Sequence, residues 1–403
     1  MYAPLHRSVV QIYRAKTPQP ALESSRVAIV ILECFNSNLS LVPILISQNL
    51  TGLGTKLILT FEQEKEVIRA LLQKLNASKE EADATAEVLA EADLRGLASH
   101  GILRLPYILR GLKRRTIIAR AKVKVVKETP ATALIDGGHG LGHYVATNAM
   151  KLAIGKAKKQ GIGAVGVFNS NHFGIAGYYA ELAMREGLIG FVTTTTDALV
   201  HPWGGVEPLL GTNAIAIGIP SDPPVLLDMA TSIAARGKLV DSMKRGKQIP
   251  EGWAIDSEGR PTTDPAKGLK GALSPFGEAK GYALSLVLEL LAGPLVGAAT
   301  GKNVVGTLEP VEGFCTKGDF MIALDPAAFV PPEEFKARVR NFVVEVKASR
   351  KAPGVAEIMV PGEPELKTKE KRLREGIPIS DGIWGELKQL AEESGVDLKK
   401  IIA

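Results

Sequence analysis

The sequence predicts an α/β (α+β) protein in which helical segments flank a part built from short strands. Apolar residues recur at helical spacing between positions 60 and 109, and polar helical segments close the chain. From about position 122, strand-like runs rich in β-branched residues alternate with helices. This order is typical of a sheet covered by helices and joined to a mostly helical region.

Capping boxes mark the first predicted helices. Thr60–Gln63 opens a helix whose apolar stripe runs over Val67–Leu75, and Ser78–Glu81 opens a second helix. Ser99 is placed to cap a third helix.

The predicted strands and longer helices follow in chain order. We expect strands at Val123–Val126, Thr132–Ile135, Ile162–Phe168, Ile189–Thr195, Ala214–Ile219, Val225–Asp228 and Phe320–Leu324. We expect helices at Ala146–Lys159, Ala176–Glu186, Gly281 to about Gly293, Pro332–Ser349 and Gly382–Ser394.

Length and composition limit the class of protein. The chain has 403 residues, enough for two or three domains, and its 45% of hydrophobic residues exclude disorder over the whole length. No stretch of about 18 apolar residues lacks a charge, which argues against a transmembrane helix. The net charge of +6 suggests a nucleic-acid-binding protein as one alternative. No basic run is interleaved with aromatic residues, so we disfavour that alternative.

Residues 1–55 differ in composition from the rest and are predicted to be an extension of unclear role. Val27–Cys34 is an apolar run that is too short and too far from residue 1 for a secretory signal. A leader, a dimer arm and an artefact of start-site choice all remain open. The two cysteines, Cys34 and Cys315, cannot form a disulfide framework, which predicts a cytoplasmic location.

Gly161–Gly166 matches the GxGxxG pattern in the wrong context. A phosphate-binding fingerprint follows a strand and opens a helix, whereas this segment follows a lysine-rich helix and enters a strand. We interpret Gly161 as a helix C-cap and the other glycines as part of a strand.

Ser99, His100 and Arg104 are the first candidate catalytic residues. A helix N-terminus at His100 would disfavour the imidazolium and keep a neutral base available. Arg104 is expected on the same helix face, where it could grip a carboxylate, so the pair suits a 2-oxo or 2-hydroxy acid. Adjacent Ser99 and His100 are not expected to pair as nucleophile and base. A capping serine with a surface histidine is the plain alternative.

The polar segment Asn169–Gly174 directly follows a predicted buried strand. Polar residues that leave a buried strand line a site or form a turn. His172 is therefore the second acid–base candidate, and a turn histidine is the alternative.

Further candidates suit a nucleotide cofactor. Asp228 ends a strand, where it can orient a histidine, contact a ribose or cap a helix. Lys280 begins the most apolar helix, where its charge suits a pyrophosphate. The glycine-rich exits Thr193–Thr196, His201–Gly205 and Gly211–Asn213 suit phosphates or a carboxamide, or form plain turns.

No metal site is predicted. No pair of His, Asp or Glu has a metal-ligand spacing such as HExxH. His139 and His143 are interpreted as structural.

The ordered motifs resemble those of the type-2 malate/L-lactate dehydrogenase family, most closely its archaeal malate dehydrogenase members. The resemblance runs from about Lys56 to the C-terminus. The motifs are ADLRGLASHGILR (92–104), SNHFGIAGYY (170–179), HPWGG (201–205) with GTN (211–213), LLDMATS (226–232) and AKGY (279–282).

The resemblance implies a homodimer that oxidises or reduces 2-hydroxy acids with NAD or NADP and lacks a Rossmann fold. It places Ser99 and His100 beside the substrate, Arg104 on the substrate carboxylate, and His172 as an acid–base residue. It matches Thr196, Asp228, Met229, Ala230, Lys280, Gly362 and Glu363 to cofactor-binding positions. Ala214 and Ala283 depart from the family pattern at a turn and a helix start.

The expected activity is therefore interconversion of malate and oxaloacetate. L-lactate, sulfolactate, ureidoglycolate and a cyclic imine such as piperideine-2-carboxylate are the alternative substrates. We expect a helical, substrate-binding domain from 56–120 together with 281–403, and a dinucleotide-binding domain over 121–280. No nucleic acid or membrane partner is expected.

Overall fold

The computed structural model describes residues 57–308 and 312–402. The predicted extension over residues 1–55, with its apolar run Val27–Cys34, lies outside the described residues.

Twelve α-helices occur in the described part of the chain. They are α1 (Phe61–Lys74), α2 (Lys79–Leu94), α3 (Leu105–Arg114), α4 (Gly142–Gln160), α5 (Ala176–Arg185), α6 (Arg236–Lys244), α7 (Pro265–Lys270), α8 (Ala279–Ala292), α9 (Pro332–Ala348), α10 (Glu363–Glu375), α11 (Asp381–Ser394) and α12 (Leu398–Ile402).

Eleven strands accompany these helices over the same described ranges. They are β1 (Leu57–Leu59), β2 (Lys124–Glu128), β3 (Thr132–Asp136), β4 (Ile162–Phe168), β5 (Ile189–Thr194), β6 (Ile215–Ile219), β7 (Val225–Met229), β8 (Ala254–Ile255), β9 (Ala272–Leu273), β10 (Asp319–Leu324) and β11 (Ile377–Ile379).

A mixed sheet of seven strands forms the centre of the described chain, in the order β2-β3-β4-β10-β5-β6-β7. Within this sheet β3 and β4 are the one parallel pair, and all other neighbours are antiparallel. The α/β prediction is confirmed.

Strand β10 follows residue 281 in the chain but lies inside the large sheet. It lies between β4 and β5 and pairs with both along its whole length. Residues 319–324 therefore belong to the same sheet as the segment 124–229, because a central strand satisfies its backbone groups only through both neighbours.

Two apolar cores lie on different elements. The first packs α4 and α5 against the large sheet, with Met150, Tyr179 and Met321 fully buried. The second joins α1, α2 and α3 to β11 and α11, so residues from both ends of the described chain share it. Strands β1 and β11 pair within that second core, and sequence analysis missed both because three residues carry too little periodicity.

The predicted helix at Ser99 is wrong in its start. Two short 3₁₀ turns, Ala98–His100 and Ile102–Arg104, precede α3, and Ser99 makes no capping hydrogen bond. By contrast, the capping boxes at Thr60 and Ser78 are confirmed, each with both reciprocal hydrogen bonds.

The GxGxxG segment is structural, as predicted. Gly161 ends α4 with φ +81°, and β4 begins at the next residue. A Cβ at Gly163 would overlap the Ala153 carbonyl oxygen of α4, so this glycine permits close packing of helix on strand.

Helix α8 exposes much of its apolar surface. Val287, Leu290 and the following Leu295 are 53%, 50% and 59% exposed. Among the described residues, one stretch, 279–296, reaches the length and hydropathy of a membrane span, and 39% of it is buried. Core helices of soluble proteins reach the same values, so this stretch is weak evidence for a membrane.

We predict that Gly163→Ala lowers the free energy of unfolding by about 1–3 kcal/mol, because the added methyl group forces α4 away from β4. Urea unfolding followed by circular dichroism measures the change. Gly155→Ala in helix α4 is the control, because the methyl group added there meets no neighbouring atom within 4 Å. It is expected to stabilise by about 0.5–1 kcal/mol. Unchanged stability of Gly163→Ala with loss of nucleotide binding would contradict the structural interpretation.

Candidate active site

The parallel pair β3 and β4 brings two loops to one edge of the sheet. The loop after β3 and the loop after β4 are joined by hydrogen bonds: the His139 amide donates to the Asn169 carbonyl at 2.7 Å, and Asn171 Nδ2 donates to the Gly140 carbonyl at 2.8 Å. A Cβ at Gly142, the first residue of α4, would overlap the Asn171 carbonyl oxygen. The start of α4 therefore packs directly on the second loop.

Three histidines meet at this edge. The His172 ring stacks on His100 with centroids 5.5 Å apart and faces the edge of His143 at 6.3 Å. Tyr107 of α3 contacts the same ring at 6.5 Å. Two predicted residues, His100 and His172, thus come together from segments about seventy positions apart.

Burial keeps these histidines neutral. It lowers the pKa of His100 to about 4 and that of His143 to about 3, with smaller contributions from nearby cations, first Arg104 for His100 and Lys317 for His143. Burial and then Arg104 hold the pKa of His172 well below its usual value. His100 and His172 still keep part of their surface open to solvent, so they line a cleft.

The hydrogen bonds of His172 and His100 differ. The Gly174 amide donates to His172 Nδ1 at 3.3 Å, so the neutral ring carries its hydrogen on Nε2. Ser99 Oγ lies 2.9 Å from His100 Nδ1, and a hydroxyl can donate or accept. The 3₁₀ turn therefore brings both side chains to one side, where they share a hydrogen bond.

Asp93 of α2 holds the loop that carries His100. Its Oδ2 accepts the Ile102 amide at 2.6 Å. A Cβ at Gly101 would overlap the same carboxylate, so only glycine fits at that position.

Glu64 of α1 lies beside Asp93 and is fully buried. Burial and then the charge of Asp93 raise the pKa of Glu64 well above its usual value. Burial also raises the pKa of Asp93, although the Ile102 amide and Arg372 oppose this. A protonated Glu64 donates to ionised Asp93, because two buried carboxylates in contact cannot both ionise at low cost.

Arg104 lies near the histidines, as predicted, on the second 3₁₀ turn rather than on a shared helix face. Its guanidinium approaches the Tyr107 ring at 5.9 Å and donates to the Leu308 carbonyl at 3.3 Å. The segment around residues 306–308 therefore lies against this side of the cleft.

A buried ion pair lies behind His172. Lys317 and Asp319, both almost fully buried, pair with each other at the start of β10. Lys317 Nζ also lies 4.4 Å from the Phe173 ring centroid, next to His172 in sequence. This ammonium adds positive charge beneath the cleft.

Asp228 lies at the end of β7, where the N-terminus of α5 meets the sheet. Its Oδ2 accepts the Gly177 amide at 2.8 Å. The side chain is exposed to water in an open crevice, yet the protein atoms around it raise the pKa of Asp228 to about 6. Met229 and Ala230 continue the strand end.

Thr196 lies across the sheet end from Met229 and Ala230. Its Oγ1 accepts the Thr212 amide at 2.9 Å, and the Thr231 amide donates to the Thr212 carbonyl at 2.8 Å. The segments that follow β5 and β7 are thus joined through Thr212.

Two predicted cofactor residues, Gly362 and Glu363, lie near the start of β7, away from Asp228. A third, Lys280, lies on α8. Gly362 packs on Leu226, and the Leu226 amide donates to the Pro361 carbonyl at 3.0 Å. The next residue, Glu363, forms an ion pair with Lys347. The hydrogen bond from Lys347 is the main reason that the pKa of Glu363 falls to about 2. Lys280 is exposed at the second position of α8.

The side chains along α5 suit a dinucleotide ligand. Asp228 can accept a hydrogen bond from a ribose hydroxyl at one end, and a small cavity further along α5 is lined by Leu226, Leu366 and Met184 together with charged side chains. Carboxylates and a few apolar contacts are groups that such a ligand requires.

The sequence analysis interpreted His143 as structural and singled out neither Tyr107 nor Lys317. The signal for His143 was present, because residues 137–143 leave a buried strand as a glycine-rich exit, as residues 169–174 do. Tyr107 and Lys317 carry no local signal. Among the described residues, no group of three His, Cys, Asp or Glu side chains is placed to hold a metal ion.

Comparisons with known proteins give consistent similarities. A family model described as malate/L-lactate dehydrogenase matches residues 59–388. An L-sulfolactate dehydrogenase from Methanothermobacter thermautotrophicus is 47% identical over 339 residues, which are 84% of this chain and 97% of that protein. A malate dehydrogenase from Pyrococcus horikoshii is 45% identical, over 81% of this chain and 92% of that protein.

Solved structures agree with these sequence similarities. The sulfolactate dehydrogenase from Methanocaldococcus jannaschii superposes with a TM-score of 0.83 at 46% identity, over 86% of this chain and 100% of that chain.

We predict that Asp93→Asn lowers the free energy of unfolding by about 1–3 kcal/mol, because it removes the charge that binds the Ile102 amide and the Glu64 carboxyl. The loop that carries His100 should loosen, and the KM for the acid substrate should rise. Urea unfolding and steady-state kinetics measure both effects.

Glu64→Gln is the control for Asp93→Asn. It keeps a neutral donor toward Asp93, so KM should stay near wild type.

Because the folded-state pKa of Glu64 is raised, wild-type stability falls as pH rises from about 4.3, the pKa of Glu in the unfolded chain, toward the pKa of Glu64 in the folded protein. The Gln variant should lack that decline. An Asp93→Asn variant whose stability and KM equal those of wild type would contradict the assigned role of Asp93.

Proposed function

The chain belongs to the malate/L-lactate dehydrogenase family, and on that premise we propose that it interconverts malate and oxaloacetate with NAD or NADP. The enzyme is a dehydrogenase of small 2-hydroxy acids. The observation that carries the proposal is the meeting of His100 and His172, both neutral, with Arg104 in one cleft.

The nicotinamide cofactor, when bound, supplies or accepts the hydride. The protein must then bind the acid, exchange the hydroxyl proton and exclude water. Arg104 grips the substrate carboxylate, since its planar guanidinium matches two carboxylate oxygens.

The two histidines take different parts in proton exchange. His172 points Nε2–H toward the cleft, because its Nδ1 is held by the Gly174 amide, and it donates a hydrogen bond to the substrate oxygen. His100 exchanges the proton. When Ser99 accepts from Nδ1–H, His100 Nε2 is free as a base, and the imidazolium that forms keeps the same hydrogen bond.

The sheet edge and the α5 side of β7 hold the cofactor. Thr196, Asp228, Met229, Ala230, Lys280, Gly362 and Glu363 would hold the cofactor. The support is that most of these residues follow strand ends of one sheet. The single parallel pair in this sheet supports a non-Rossmann binding mode. Residues 121–280 with β10 form most of the cofactor side, to which Gly362 and Glu363 add, and 56–120 with other C-terminal residues form the substrate side.

A homodimer is supported by helix α8. Its exposed Val287 and Leu290, with Leu295 after the helix, form an apolar face that a second copy would cover. A cytoplasmic location is supported by the buried thiol of Cys315, whose pKa burial raises to about 11, making it unreactive.

Substrate identity is open to one competing class. Four of the similar proteins have sulfolactate in their names, and sulfolactate shares the carboxylate and hydroxyl that Arg104 and the histidines recognise. L-lactate, ureidoglycolate and cyclic imines remain weaker alternatives.

We predict that the purified protein oxidises NADH or NADPH when oxaloacetate is added. The absorbance of the reduced nicotinamide measures the reaction, and a parallel cuvette contains 3-sulfopyruvate, the oxo acid of sulfolactate.

His100→Gln should lower kcat by about 10²- to 10⁴-fold, the range for loss of a general acid–base group. His172→Gln should retain more activity than His172→Ala, because the amide keeps an N–H donor.

Each outcome separates the proposals. Faster turnover with 3-sulfopyruvate would move the substrate assignment without changing the residue roles. Full activity of His100→Gln would refute its part in proton exchange. No cofactor oxidation with either acid would direct the search to imines and ureidoglycolate.

We also predict a pH dependence from Asp228. The kcat/KM for the cofactor should fall as pH decreases through about 6, because protonation removes the carboxylate acceptor. No inflection near 6.5 is expected from His100, whose pKa of about 4 lies below the range. Asp228→Asn should lower kcat/KM and remove the inflection near pH 6. An inflection that persists in this variant would assign it to another group.

A further inference from the structure

Two adjoining cavities follow helix α5 away from the catalytic histidines. The larger has a volume of about 410 Å³, and the smaller about 60 Å³. Both are lined by Glu181, Met184 and Pro224, so they form one groove, here called the α5 groove. The larger cavity lies in the size range of small-molecule sites.

The α5 groove continues from the active-site cleft. His172 lies four positions before α5, and Gly177 in its first turn donates to Asp228. The charges of Arg95 and Glu365, which line the smaller cavity, act on the Asp228 carboxylate. The ten residues of α5 span about 15 Å, a length that suits the distance between the two halves of an extended dinucleotide.

The far cavity carries an excess of positive charge. Arg185, Lys336 and Arg340 line it, against Glu181 and Asp222. Lys336 pairs with Glu333, and Arg185 pairs with Glu181. Arg340 of α9 forms no ion pair among the residues that the structure describes, so its guanidinium remains to bind an anion.

Glu181 is engaged on both oxygens. Arg95 of α2 binds Oε2, and Arg185 lies 3.3 Å from Oε1. A carboxylate near the adenosine ribose favours NAD when it accepts the 2′-hydroxyl and repels a 2′-phosphate. Because these arginines occupy Glu181 and neutralise it, the carboxylate cannot play that part.

We propose that the far cavity of the α5 groove binds the 2′-phosphate of NADP, with Arg340 as its principal contact and Arg185 beside it. This inference rests on the proposed dehydrogenase function and adds the choice of cofactor. Arginine suits the role because its planar, permanently charged fork matches phosphate oxygens.

The test uses the full-length protein and calorimetric titration without substrate. The probes are adenosine 2′,5′-bisphosphate, 5′-AMP and inorganic phosphate. The bisphosphate should bind at least about tenfold more tightly than 5′-AMP, the gain expected from one charge-assisted contact. Arg340→Ala should abolish that difference. Arg338→Ala is the matched control, since Arg338 lies on the same helix, pairs with Glu334 and does not line the cavity.

Kinetics provides the second readout. Wild type should have a KM for NADPH at least about tenfold below that for NADH, and Arg340→Ala should raise only the NADPH value. Equal binding of the bisphosphate and 5′-AMP by wild type would overturn the inference, even if NADH supports turnover. Inorganic phosphate that binds as tightly as the bisphosphate would also overturn it, as a general anion site. An Arg340-dependent preference without oxidation of either cofactor by oxaloacetate would uphold the site and refute the substrate.

Discussion

The contact between Asp93 and the Gly101–Ile102 backbone is the constraint on which the active site depends. The carboxylate occupies the space of a Cβ at Gly101 and binds the Ile102 amide, so the chain must turn there without a side chain. That turn replaces the start of a regular helix with two 3₁₀ turns and aims His100 at His172. Glu64 supports Asp93 from a neighbouring helix, which makes a buried carboxyl pair part of the catalytic geometry.

Desolvation then sets the chemistry of the cleft. His100, His143 and His172 lie among protein atoms and near the cations Arg104 and Lys317, and both effects oppose a positive charge on the rings. A neutral imidazole can accept a proton, while the same cations attract an acid substrate. The binding of that anion would offset the cations and favour the imidazolium, so substrate binding itself adjusts the catalytic group.

The sheet explains why the site lies where it does. The parallel neighbours β3 and β4 deliver two loops to one edge, and the antiparallel β10 separates β4 from β5 without closing that edge. Helix α5 starts beside His172 and leads away along β7, which connects the histidine cleft to the far cavity. In the proposed mechanism, this one short helix would link proton exchange to recognition of the cofactor.

Local patterns in the sequence determined the helices with capping boxes, the strand over residues 162–168 and the structural nature of the GxGxxG segment, because each depends on neighbouring residues alone. The ordered motifs also determined the family. Tertiary structure decided the insertion of β10 into the sheet and the place of His143 beside His172. Tertiary structure also decided the low pKa of His100. The sequence pattern had suggested a helix dipole as its cause, but burial is the main cause. These features depend on contacts between residues far apart in the chain, and periodicity and spacing carry no record of such contacts.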